Sequence, residues 1–384
     1  MIPAQAIAQG AGFRAAVSVV AVSLFCLGPA APVHPAEGKP AWQAEWEKTL
    51  AVAYQEGEVA LYGQARSPTS DAMKAFQKAY PRIKLNFVGG TGNQLGPRVM
   101  AEKRANKHLV DIAIGGPGTM VAVYYKAGLL EPLGSAFILP EVQDASLWWD
   151  RQHHFADADN RYVMAMTGDV STTIGAYNSN LLKPDEIQSW WDLLRPKWRG
   201  RIVATDPKSA GNIQNWRYLY YSPELGPKFI RKLLAEMDVR FSSDERQMMD
   251  WLAAGKYAVH LFAKGANLDQ AIQQGLPVRE LNSQKEAGSI GTGSGHIGFF
   301  KNAPHPNVAR IYVNWMLSRE GQLNWQQWTK DNSLRVDIPK DAVPKGNIPI
   351  EGKKYMMLSS PEYEDVGGLK KLIDEVLSQA GRKP

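Results

Sequence analysis

A chain of 384 residues, 44% hydrophobic and 21% charged, can bury sizeable apolar cores and has the length of two or three domains. Its formal charge of +6 comes from lysines and arginines scattered among acids rather than gathered in runs, which argues against nucleic acid as a partner. The single cysteine, Cys26, leaves no disulfide and no thiolate metal site to build.

In chain order the first marked feature is AAVSVVAVSLFCL at 15–27, thirteen residues between Arg14 and the small residues Gly28, Pro29 and Ala30. That stretch is too short to span a bilayer and fits the apolar centre of a secretory leader. Residues 1–36 are therefore expected to be a signal segment, cleaved after Ala30 or Ala36. Phe25 stands where a lipoprotein signal carries a small residue, which argues against lipid attachment at Cys26. The expectation is a soluble, exported chain without thiols.

From Glu58 the periodicity alternates between strand and helix. EVALYGQ reads as a strand, SPTSDAMKAFQKAY as a helix opened by a Ser/Thr/Asp cluster, and IKLNFVGG as a second strand. GTGNQLGPRVMAEKRAN repeats the polar-to-helical pattern, DIAIGG is a third strand, and PGTMVAVYYKAGLL another helix. Strand, helix, strand implies a parallel, doubly wound sheet whose ligand crevice lies beyond the strand ends. Here that means Gln64 to Thr69, Gly89 to Gln94 and Gly115 to Thr119.

Residues 131–160 read as loop-rich, and RYVMAMTGDVSTTIGAYNSN as an extended crossing out of the first unit. A second α/β unit follows, through IQSWWDLLRPKW, the strand GRIVATDP, a polar elbow at 206–212, PELGPKFIRKLLAEM, DVRFSS, DERQMMDWLAAG and KYAVHLFA. The chain then crosses back at GSIGTGSGHIGFF into the amphipathic helix NVARIYVNWMLSREGQLNWQQW, and ends in a Pro-rich tail with a last helix at LKKLIDEVLSQA. The expected fold class is α/β with two doubly wound lobes joined by extended hinge crossings. The expected bounds are 40–165 plus 291–330 for the first lobe and 166–290 plus 331–384 for the second.

Three chemistries fail on context. Gly293-Ser-Gly295-His-Ile-Gly298 matches a dinucleotide fingerprint but runs into IGFFKNAPHPN, where prolines forbid the helix that motif must open. His153 and His154 are adjacent and cannot share a helix face as paired metal ligands would. No G-x-S-x-G elbow is present. Of the twelve tryptophans, Trp190, Trp191, Trp315, Trp325 and Trp328 fall in amphipathic helical patterns and read as packing. Trp216, just past the elbow, is the candidate for a ligand contact.

Several segments recur in a known order: Val59 to Gly63 before a polar helix start, Gly89-Gly90-Thr91, Asp111-Ile112 before Gly115-Gly116, and AGLLEPL at 127–133. YNSNLL at 177–182, SWWDLLRPKWRGRIVATDPKSAG at 189–211 and HPNVARIYVNWMLSREGQ at 305–322 follow. In this order the chain resembles the bacterial extracellular solute-binding proteins of ABC importers, with the type 2 periplasmic binding fold, and particularly the branch containing ferric-iron binders. The resemblance implies a monomer whose lobes close over a small solute and present it to a membrane permease, without cofactor, resident metal or catalysis. Iron binders of that branch place a tyrosine pair after the strand corresponding to KYAVHLFA. Lys264-Gly265-Ala266-Asn267 stand there in this chain, so bare ferric iron is not the expected solute.

The residues expected around the solute come from four loops: Arg66, Ser67 and Thr69; Thr91, Asn93 and Gln94; Gly116 and Thr119; and Ser209, Ala210, Gly211, Asn212 and Trp216, with Lys264 beyond the last strand. Helix N-termini after Ser67, Thr91 and Ser209 present unpaired N–H groups, and Arg66 and Lys264 could add full charges, so an anion is favoured: a phosphonate, phosphate ester or carboxylate. Each of these hydroxyl residues could equally be a helix cap. Carbohydrate stacked on Trp216 and chelated iron are the alternative solutes. An exported enzyme on the same fold would need Asp206 as its base.

Overall fold

The computed structural model describes residues 39–379 except 66, 172, 208–212, 265 and 283. The expected leader, Arg66 and Ser209 to Asn212 therefore lie outside the described residues. A helix at Ala41–Glu56, closed by Gly57 in the left-handed region at φ 74°, precedes the first strand.

The first six strands are β1 (Glu58–Gly63), β2 (Lys84–Gly89), β3 (Ile112–Gly115), β4 (Leu130–Glu131), β5 (His154–Phe155) and β6 (Met164–Ala165). β7 (Asp169–Val170) lies in the outward crossing. β8 (Gly175–Asn178), β9 (Ile202–Thr205), β10 (Arg240–Ser242), β11 (Val259–Leu261) and β12 (Val278–Leu281) build the second lobe. β13 (Gly288–Gly291) and β14 (His296–Phe300) lead back, and β15 (Tyr355–Met357) comes from the tail.

The first sheet has the order β2-β1-β3-β14-β6-β5, with β4 attached to β14, and its β1, β2 and β3 are parallel. The second has the order β10-β9-β11-β8-β12, with β9, β10 and β11 parallel and β8 antiparallel to its neighbours. Two lobes of the expected α/β type result. Between them the crossings pair with each other: β13 lies antiparallel to β7 and parallel to β15, making a third, three-stranded sheet.

Each lobe has its own core. Trp148, Tyr312, Trp315 and Trp325 pack with Leu61 and Ile112 in the first. Trp190, Trp198, Trp216 and Phe229 pack with Ile202 and Val259 in the second. The tail divides between them. Leu334 belongs to the first core, whereas Met356, Leu369, Ile373 and Leu377 belong to the second, so residues 331–384 do not all pack with the second lobe as expected.

The segment with Trp190 and Trp191 also departs from expectation. It is a 3₁₀ turn at Trp190–Leu194, not an amphipathic α-helix. Pro196 supplies the reason, since it lacks an N–H and pushes Arg195 out of the helical region, to φ −65° and ψ 136°. Ser189 and Asp192 close the turn in a reciprocal cap.

Gly175, at φ 139°, brings β8 so close to β11 that a Cβ there would run into the carbonyl oxygen of His260. Gly175→Ala should destabilise the protein by about 2–4 kcal/mol through strain and overpacking, read as an earlier urea midpoint with an unchanged m-value.

Candidate functional site

The carboxyl ends of the parallel strands place the loops of both lobes beside the crossings. From the first lobe, β1 runs into Gln64, whose side-chain amide donates to the Ser294 hydroxyl, and β3 runs into Gly116 and Pro117, the latter in the first turn of a short helix. From the second, β9 leads through Asp206 to the elbow and then to the helix Ile213–Tyr221. β11 ends at Phe262, a non-glycine in the left-handed region at φ 63°, followed by Lys264. Such a backbone is sparsely populated, and it turns Phe262 and Lys264 towards the crossings.

A cavity of about 350 Å³ occupies this junction, at the small end of ligand pockets. The crossings line it with Ser171 and Thr173 on one strand and Ser289 to Gly293 on the other. The Ser171 and Ser289 hydroxyls lie 3.0 Å apart, and the Thr173 hydroxyl donates to the Leu281 carbonyl at 2.9 Å. Pro117 comes from the first lobe, Phe262 and Lys264 from the loop after β11, and Asn215, Arg217 and Tyr218 from the helix Ile213–Tyr221. Leu358 and Ser359, just beyond β15, complete the lining.

Its electrostatics are one-sided. Among the described residues that line the cavity, Arg217 and Lys264 are the charged ones, and both are cations. Burial pulls the Arg217 guanidinium below its ordinary value, with the charges of Glu364 and Tyr221 opposing that shift. Burial also pushes the Tyr218 phenol well up, reinforced by Glu286 and Glu224, so it stays protonated and donates to the Ala287 carbonyl at 2.6 Å. A phenol held this way is a poor phenolate ligand for a metal. Among the described residues no group of three or more His, Cys, Asp or Glu is placed to hold one.

Of the residues expected from the sequence, Lys264 lines the cavity, and Gly116 adjoins it through Pro117 and the carbonyl of Gly293. The others with described positions do not line it. Ser67 donates its hydroxyl to Asp71 in the same helix start, and Thr69 is buried in the first turn. The Thr91 N–H donates to Gln94 Oε1 at 2.9 Å in a capping box, with Asn93 exposed beside them. Thr119 packs its hydroxyl against Gly92. Capping and packing account for this group.

Trp216 is corrected outright. It is fully buried and packs edge-on against Phe262 at 5.5 Å and Phe241 at 6.4 Å, because Ile213 and Trp216 lie on the inward face of their helix. It offers no ring face to a solute. Asp206 is half-buried and outside the lining as well.

The residues missed include Asn215, Arg217 and Tyr218, the crossing residues Ser171, Thr173 and Ser289, Phe262, and the tail residues Leu358 and Ser359. Arg217 was findable, as the lone charged side chain of IQNWRYLYY, one turn past the residue that opens the helix.

The profile of the bacterial extracellular solute-binding proteins matches residues 63–323. The chain belongs to that family. An uncharacterized protein of Haemophilus influenzae is 26% identical to this solute-binding protein over 291 residues, 72% of this chain and 77% of the other. Among solved structures, iron-bound HitA from Pseudomonas aeruginosa is 19% identical at a TM-score of 0.53, over 83% of this chain and 99% of HitA. Trichodesmium IdiA (FutA), in complex with iron and citrate, is 19% identical at a TM-score of 0.57, over 85% and 100%. Apo FutA2 from Synechocystis PCC6803 is 16% identical at 0.59, over 83% and 98%. At these identities the likeness is one of fold, the two-lobed type 2 binding fold.

Proposed function

We propose that this solute-binding protein is the periplasmic component of an ABC importer, and that it captures one small anionic organic solute at the junction of its lobes and crossings. A phosphonate, a phosphate ester or a carboxylate has the required charge. The observation that carries the reading is the cavity itself, lined by hydroxyls and an amide, with Arg217 and Lys264 as its charged residues. Among the described lining residues these two cations have no acid beside them, so their field favours a negatively charged solute.

Delivery follows from closure. Contacts made to the solute by both lobes stabilise a closed form only by as much as they exceed those of an open one, so transfer to the permease is a shift in that balance. Carbohydrate is the second reading, and it loses its expected stacking residue, since Trp216 is buried. Bare ferric iron is disfavoured, because among the described residues no group of three or more His, Cys, Asp or Glu is placed to hold it and the Tyr218 phenol is held protonated. Catalysis is not part of this reading, because Asp206 lies outside the cavity lining.

Thermal-shift measurements on the purified mature chain test it, using organic acids, phosphonates, neutral sugars and ferric citrate. A ligand at about 100 times its Kd should stabilise by about 2.7 kcal/mol, a rise of several degrees. Acids should give that rise. A shift by neutral sugars alone would contradict the anionic reading, and turnover of a tight ligand would contradict a carrier.

A further inference from the structure

Arg217 is half-buried, and its contacts differ from those of the buried Arg335 and the half-buried Arg310. Arg335 donates to Asp337 and to the Leu317 carbonyl, and Arg310, whose Nε also lacks an acceptor, donates through its terminal nitrogens to Glu45 and Thr49. Arg217 makes no hydrogen bond or ion pair among the described residues, and its Nε–H is buried without an acceptor. Glu364, from the segment between β15 and the last helix, acts on it through space without forming an ion pair. A guanidinium cannot shed its proton, and a buried donor without a partner is costly, so a ligand oxygen that accepts from this Nε–H is favoured at the cavity.

We propose that Arg217 is the residue that grips the solute's acid group, and that the solute is a small organic acid with a compact apolar body. The inference rests on the anionic reading above. A guanidinium presents parallel N–H donors in a rigid fork, which fits two oxygens of a carboxylate, phosphonate or phosphate. Lys264 is exposed at the cavity and contributes charge without that geometry. The lining also carries apolar side chains, Pro117 from the first lobe, Phe262 from the second and Leu358 from the tail. A bare inorganic ion would leave those surfaces wet. An acid with an aromatic or short aliphatic body covers them.

Calorimetric titrations of the mature chain with phenylphosphonate, benzoate, inorganic phosphate and glucose test this, for wild type, Arg217→Gln, Arg217→Lys and Lys264→Gln. At least one organic acid should bind more tightly than inorganic phosphate. Arg217→Gln should weaken that acid by about 30-fold or more, the lower range for removing one partner of a buried charge pair. Arg217→Lys should recover only part, because charge returns without the fork, and Lys264→Gln should cost less than either. Because Arg217 makes no hydrogen bond or ion pair among the described residues, its variants should melt no earlier than wild type, which separates lost binding from lost folding.

Binding of an organic acid that Arg217→Gln retains within about threefold would overturn the proposal and leave the anionic reading standing. Inorganic phosphate binding as tightly as the organic acids would overturn the apolar-body part. Glucose binding with no acid bound would overturn both readings together.

Discussion

Replacing Arg335 with alanine should lower the unfolding free energy by about 3–5 kcal/mol, the usual cost of breaking a buried ion pair from one side. Arg335 is fully buried, and its Nε and one terminal nitrogen donate to the two oxygens of Asp337, each at 2.8 Å. Its other terminal nitrogen donates to the Leu317 carbonyl at 2.9 Å and lies 3.1 Å from a Glu141 carboxylate oxygen. One side chain thereby joins the tail to the end of the helix Pro306–Leu317 and to the loop-rich part of the first lobe. Lys340 reinforces the joint, donating to the carbonyls of Ser333 and Arg335 at 2.6 and 2.7 Å, and burial lowers its amine to about 8. Asp337→Asn should cost less, because Asp337 keeps contact with water and a neutral amide still accepts one bond. Urea unfolding of the three proteins orders these effects. An Arg335→Ala protein within about 1 kcal/mol of wild type would show that the tail is not held this way.

Acidification should produce the second large loss. His260 and His296 are both fully buried, and burial, as the dominant cause, lowers each to about 4 from an ordinary 6.5. His260 faces Glu245 from the neighbouring helix, its Nε2 3.7 Å from that carboxylate, too far for a hydrogen bond. His296 sits in β14 between β3 and β6. Their folded-state values are depressed, so the unfolded chain binds protons that the folded chain refuses. The stability they contribute is complete above pH about 6.5 and is lost as the pH falls towards 4. By linkage each costs about 2 kcal/mol at pH 5 relative to pH 7. Asp169, raised by burial to about 6, acts in the opposite sense over part of this range and blunts the fall. His296→Gln should remove roughly half of the histidine contribution to the loss between pH 7 and pH 5, read by urea unfolding at both values. An unchanged pH dependence in that variant would place the acid sensitivity elsewhere.

Much of the fold was legible because its signals are local. The change from period-two to helical periodicity across 58–115 marks three strands and their helices without knowledge of what they pack against, and two runs of that pattern separated by extended chain imply two lobes. The site was legible only in part, because its walls are set by long-range pairing. Nothing near Tyr355 to Met357 says that this strand joins β13, yet that pairing carries Leu358 and Ser359 to the cavity. Helix starts at Ser67 and Thr91 look alike whether they cap or bind, and here their polar atoms are engaged at home. Trp216 misled for a different reason. Sequence distance placed it near the elbow, whereas helical phase turned it inward while Arg217, one residue on, reached the cavity.

A structure of the mature chain with its tightest-binding organic acid tests the central claim most directly. The account predicts the acid group between Arg217 and Lys264, with its body against Phe262 and Leu358. Solute held away from Arg217 and Lys264 would contradict it.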